Sequence, residues 1–222
     1  MLEPMSSLGR GQQAVQSKRP YDASLRLKAA RRNRDRIIEA AERRFLRDGY
    51  AATTIAAIAD DARVSVDTIY KSFRGKPGLV RAISKQALQG EGPVPAEQRS
   101  NQLQAREPDP RRIIRAWGAF VTEIAPKVAP VLFLVRDAAG SDPELRAVLE
   151  EMDADRDRRM TDNARRLHAA GHLRRGVTAT HAADVLWTYS AIEMYELLVL
   201  RRGMPLKKFG QFVADAMIAA LL

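Results

Sequence analysis

A short run of polar side chains, SVDTIYKSFRGK at positions 65–76, has the chemistry to grip a polyanion. The hydroxyls of Thr68 and Tyr70 can donate to phosphate oxygens, and Lys71 adds a positive charge. Lys76 stands directly before Pro77, a residue suited to the first turn of a helix. A cation beside the free N–H groups of that turn makes a phosphate clamp. Asp67 is the odd member, because a carboxylate is unfavourable near phosphates. It can accept from a cytosine amino group or stabilise the N-terminus of its own helix, and the second role is preferred.

Two short helices joined by a tight turn must position these groups. Thr54 is a suitable N-cap for the first, with Ile55, Ile58, Ala59 and Ala62 following at three- and four-residue spacing. Ser65 is the N-cap candidate for the second, whose Val66, Ile69 and Phe73 form one stripe. Only Arg63 and Val64 lie between the two patterns. With Ile69 and Phe73 turned to a core, Asp67, Thr68, Tyr70 and Lys71 face outward. This is the layout of a helix-turn-helix, whose second helix enters the DNA major groove while the first crosses the backbone. A plain helical hairpin has the same local pattern, so the hairpin by itself leaves both readings open.

Gly49-Tyr50, Thr53-Thr54-Ile55, Ile58-Ala59, Val64-Ser65, Thr68-Ile69-Tyr70, Phe73, Lys76 and Leu79 together resemble the N-terminal domain of tetracycline-repressor-like (TetR-family) regulators. The resemblance holds in order and spacing over roughly 50 residues, counting the preceding helix. It implies that Thr54, Tyr70 and Lys76 hold phosphate while Val66, Asp67, Thr68 and Lys71 approach bases. It also implies a C-terminal half that dimerises through its last two long helices and encloses an effector pocket. Three departures stand out. Arg63 occupies the turn position where the family usually has glycine, so the turn is either distorted or Arg63 adopts a left-handed backbone and reaches DNA. Ala56 and Ala57 replace residues that are commonly charged or polar, and Asp67 is unusual next to DNA.

The charge distribution agrees with a polyanionic partner. Residues 1–85 hold 18 Lys+Arg against 9 Asp+Glu, whereas residues 86–222 hold 19 against 18. Nearly all of the net +10 therefore travels with the hairpin. An anionic membrane would attract the same charge, but no lipid-seeking amphipathic helix accompanies it. No apolar run approaches the length of a membrane span, and the first twenty residues lack the apolar core of a signal peptide. With no cysteine there is neither a disulfide framework nor a thiolate metal site, and a cytoplasmic protein is expected.

The expected architecture is all-α, with no strand pattern competing. Residues 1–27 form a disordered basic arm dotted with Arg10, Lys18, Arg19 and Arg26; residues 28–75 are the helix-turn-helix domain. The first firm helix is expected from about Ala30 to Arg47, with Gly49 as its C-cap. Residues 76–110 form a connecting helix and a linker that is mobile or a broken short helix, and 111–222 form the effector-binding and dimerisation domain. There, Pro126 is expected to stop one helix and Pro130 to start another. Helices near 180–200 and 205–221 are the candidate dimer seam. Trp117, Phe120, Phe133, Met152, Trp187 and Tyr189 are candidates to line an apolar pocket for a small apolar or amphipathic effector.

No cofactor is expected. His168 and His172 stand four apart across a helix end with no third ligand in view, so a zinc site is unsupported. Neither a glycine-rich phosphate loop nor a nucleophile–base pattern points to an enzyme. The expectation is a ligand-responsive, dimeric DNA-binding regulator, most simply a repressor on a palindromic operator. The alternative is a helical small-molecule-binding or interaction protein whose hairpin reads no specific operator.

Overall fold

The computed structural model describes residues 19–222 apart from Gly92, and no strand occurs among them. Helix α1 runs from Arg19 to Asp48. It begins well before Ala30, because the stretch from Leu25 to Arg32 is rich in Leu, Lys, Ala and Arg, all strong helix formers. The expected arm is therefore helical from Arg19 on, while Arg10 and Lys18 lie outside the described residues. Helices α2 (Ile55–Ala62) and α3 (Val66–Phe73) follow, then α4 (Lys76–Gln89). Ile37, Ile38, Ala41 and Phe45 of α1 close over Ile58, Ile69, Phe73, Leu79 and Val80, so the basic face of α1 turns outward.

The segment expected as linker contains a regular helix, α5 (Ala96–Arg106). After it, α6 runs unbroken from Pro110 to Ala139, straight through Pro126 and Pro130. Each proline removes one backbone hydrogen bond and its ring crowds the preceding turn, a cost of about 3 kcal/mol in an isolated helix. Here the surrounding Ala125, Val128, Ala129 and Val131 are buried against neighbouring helices, and tertiary packing overrides the local break. The unbroken helix is also long and apolar enough to cross a membrane by length and composition. One third of that stretch, 33%, is buried within this chain, and the helix packs chiefly on α10 (Leu206–Leu221) and α7 (Pro143–Ala169).

Between α7 and α10 come α8 (Ala179–Tyr189) and the short α9 (Ile192–Tyr195), which passes into a π-helical segment, Glu196–Arg201. Two buried clusters result. One joins α1–α4 to Val131 and Val135 of α6 and to Leu145 and Val148 of α7. The other fills the body with Ile113, Trp117, Leu167, Leu186, Phe209 and Met217. Helices α6 and α10 cross at a pair of glycines. A Cβ on Gly118 would lie 2.4 Å from the Gly210 carbonyl oxygen, and one on Gly210 would lie 2.6 Å from that of Gly118.

Candidate nucleic-acid interface

Local capping shapes the hairpin. The Thr54 hydroxyl accepts from Ala57 N–H at 3.1 Å and starts α2. Arg63 ends it in the left-handed conformation, φ 53° and ψ 51°. The turn is undistorted: Arg63 N–H donates to Asp60 O and Val64 N–H to Ala59 O, closing the helix in the manner of a glycine-terminated C-cap. Ser65 then accepts from Thr68 N–H at 3.2 Å, and the two hydroxyls lie 2.8 Å apart. Thr68 is thus tied to the cap of its own helix and is half-buried.

What α3 presents outward is more apolar than its charges suggest. Val66 is 41% exposed and Tyr70 52% exposed, while Ile69 and Phe73 are sealed in the core. Lys71 Nζ lies 2.7 Å from Asp67 Oδ2, one turn away on the same exposed face. Asp67 therefore sits in the first turn of α3 and partners Lys71, a weak surface pair that salt screens readily.

Lys76 does not stand free at the surface. Its Nζ donates to Tyr50 O at 2.7 Å and lies 4.3 Å from the centre of the Tyr50 ring. Burial lowers its pKa, and burial likewise pushes the Tyr50 phenol up. The lysine straps the start of α4 to the loop after α1, so its geometry is that of a brace. The spacing in sequence could not show this, because Tyr50 lies 26 residues away.

Further braces escaped the sequence reading. Arg44 grips Asp61 through two hydrogen bonds, Nε to Oδ2 at 2.6 Å and an Nη to Oδ1 at 2.8 Å. That hydrogen bonding holds the Asp61 carboxyl below the usual range. The Arg34 guanidinium lies 4.6 Å over the Phe73 ring. Together they bind α1 to both helices of the hairpin. Gly78 admits α4 against the end of α3, since a Cβ there would fall 1.7 Å from the Phe73 carbonyl oxygen. The Pro77-Gly78 pair was the available signal for that close approach.

The six pocket candidates do not form one set. Trp117, Phe120, Phe133 and Tyr189 belong to the body cluster and Trp187 stands outside it, while Met152 packs on the other cluster, which includes α1–α4. Trp117 is buried and donates its indole N–H to Ser100 Oγ at 3.0 Å. Arg99, Arg136 and Arg156 stack over Phe120, Phe133 and Trp187, the last at 3.3 Å. An open depression of about 330 Å³ is lined instead by Arg99, Gln102, Leu103, Arg106 and Glu107 of the α5 region.

Known proteins share these features. Residues 37–83 match the family described as bacterial regulatory proteins, tetR family. An uncharacterised HTH-type transcriptional regulator of Bacillus subtilis, YvkB, is 41% identical over 59 residues, which are 27% of this chain and 31% of that protein. The HTH-type transcriptional regulator TtgR of Pseudomonas putida is 48% identical over 54 residues, 24% of this chain and 26% of its own length. These alignments span about a third or less of each relative. The solved SmeT–triclosan complex extends the likeness in fold to 86% of this chain and 91% of that one, at TM-score 0.66 and 23% identity. Residues 37–83 thus match the tetR family of bacterial regulatory proteins in sequence, and the helical body around them shares its fold with the SmeT structure.

Proposed function

We propose that this chain is a ligand-responsive transcriptional regulator that binds a palindromic operator as a homodimer and represses. The carrying observation is the capped, outward-facing α3, with Val66 and Tyr70 exposed on a helix whose other face is sealed in the core. Val66 and Tyr70 suit apolar contact with bases, and the Tyr70 hydroxyl and Lys71 suit phosphate. Thr54 and Ser65, at the two helix starts, bring backbone N–H groups toward phosphate, and Arg63 reaches from the turn. Lys76 supports this surface from behind. The hairpin's core continues into Val131, Val135, Leu145 and Val148 of the body, which supplies a mechanical path from an effector to DNA.

Leu197 and Leu200 of the π-helical segment and Phe212 of α10 are exposed, and these two elements touch. Such an apolar patch suits a two-fold seam with a second copy. A hundredfold loss of operator affinity requires the effector to favour the unbound arrangement by roughly 2.7 kcal/mol, within ordinary allosteric coupling. A regulator of this kind works in the cytoplasm, without catalysis and without a resident cofactor. Footprinting on the DNA upstream of its own gene tests the reading. Sequence-specific protection of two half-sites is expected. Weak, salt-sensitive binding to every DNA alike would return the chain to a helical binding protein without an operator.

A further inference from the structure

Helix α5 is fastened to the body mostly by polar bonds. Only Ala96 and Ser100 of its residues are buried. Ser100 receives the Trp117 indole N–H, and Gln104 Nε2 donates to the buried Asn163 Oδ1 at 3.0 Å. The other Gln104 amide atom, Oε1, is buried without a hydrogen-bond partner among the described residues. One turn from Asn163 on either side, two arginines of α7 converge on a single neutral atom. Arg159 donates to Asn101 Oδ1 at 2.8 Å and Arg166 donates to the same oxygen at 2.6 Å. Arg159 also donates to Glu97 O at 3.1 Å and lies 3.3 Å from the exposed Glu97 carboxylate. Its side chain is only 19% exposed, and burial lowers its pKa, opposed by the Glu97 carboxylate and reinforced by the Arg166 charge.

Two guanidiniums drawn to one uncharged oxygen repel each other, and one of them is desolvated as well. A neutral amide compensates for this less well than an anion, because charge-assisted hydrogen bonds are roughly twice as strong as neutral ones. Trp117, Ala164, Leu167 and the partly buried Phe120 and Met160 form the apolar ground beside the pair. Asn101 thus holds the place of a ligand oxygen, on a helix with little apolar anchoring of its own.

We propose that the seam between α5 and α7, now closed by Asn101, takes a carboxylate carried on an apolar body. The head displaces Asn101 from Arg159 and Arg166, and the body lies on the Trp117 side as α5 shifts. This rests on the reading that the body receives an effector, and it assigns that effector's class. It replaces an apolar or amphipathic molecule of any charge with an amphipathic anion.

The chain has two tryptophans, so Trp187→Phe leaves Trp117 as the sole indole reporter. This variant is titrated with decanoate and with 1-decanol while Trp117 emission is followed. Decanoate should bind at least about tenfold tighter than the alcohol, the scale of one charge-assisted contact. Arg159→Gln with Arg166→Gln should erase that preference, bringing the affinities for decanoate and 1-decanol together. Asn101→Ala should tighten decanoate. If the double variant does not fold, Arg166→Gln alone, at an exposed position, carries the same comparison. Equal binding of the two probes, failure of decanoate to bind, or a preference that survives loss of the arginines overturns the proposal. Operator binding is measured separately without probe, so loss of DNA recognition with the decanoate preference intact would sink only the regulator reading.

Discussion

Arg63 adopts a backbone conformation that glycine reaches without a Cβ clash. The cap hydrogen bonds around it are nevertheless complete, so the strain is confined to one residue. Arg63→Gly should therefore raise stability by about 0.5–1 kcal/mol, visible as a higher melting temperature. If the Arg63 side chain also touches DNA, the same variant loses operator affinity while gaining stability, and calorimetry with gel shift reads both. Lys76 makes the opposite case. Its ammonium satisfies the Tyr50 carbonyl, and hydrogen bonds to charged groups contribute about 1.5–3 kcal/mol. Lys76→Ala is expected to lower thermal stability and leave the slope of operator affinity against salt unchanged. A flatter slope at unaltered stability would restore the lysine as a phosphate contact.

Helix propensity and packing pull in different directions at the crossing of α6 and α10. Alanine is the better helix former by about 1 kcal/mol in an exposed interior. At Gly118, however, the added Cβ would meet the Gly210 carbonyl and the Ala214 Cβ, at 2.4 and 2.9 Å. Gly118→Ala should thus destabilise the chain by about 1–3 kcal/mol, the usual range for overpacking. A melting temperature equal to or above that of the unaltered protein would show that the helices part without cost. The extent of α6 follows from the same competition. Pro126 and Pro130 are local stop signals, and they are overruled because both flanks of the helix are buried by α7 and α10. The N-caps at Thr54 and Ser65 met no such competitor, and α2 and α3 begin where their spacing predicts. Helix α1 outran its expected start because good helix formers continue where no apolar periodicity remains to mark them.

For the whole molecule, the shared core of α1–α4, α6 and α7 makes the hairpin's position depend on the body. Dimerisation would set the spacing of two hairpins, and the exposed Leu197, Leu200 and Phe212 are the surface available for it. Leu200→Glu should convert dimer to monomer in sedimentation velocity and weaken operator binding, with helical content retained. A variant that stays dimeric would move the seam elsewhere.

The sequence by itself determined the features whose partners lie within a turn of one another. These are the two N-caps, the two-residue joint at Arg63 and Val64, the buried Ile69 and Phe73, and the concentration of charge in the first 85 residues. Family resemblance added the expectation that the helical body dimerises and encloses an effector pocket. Tertiary structure alone decided that Lys76 braces Tyr50, that Arg44 grips Asp61, that α6 runs through its prolines, and that Gly118 meets Gly210. It likewise separated Met152 from the aromatic residues and set Arg159 and Arg166 on one amide oxygen. Local hydrogen bonds depend on neighbours in the chain, whereas each of these depends on a surface that exists only once distant helices have packed.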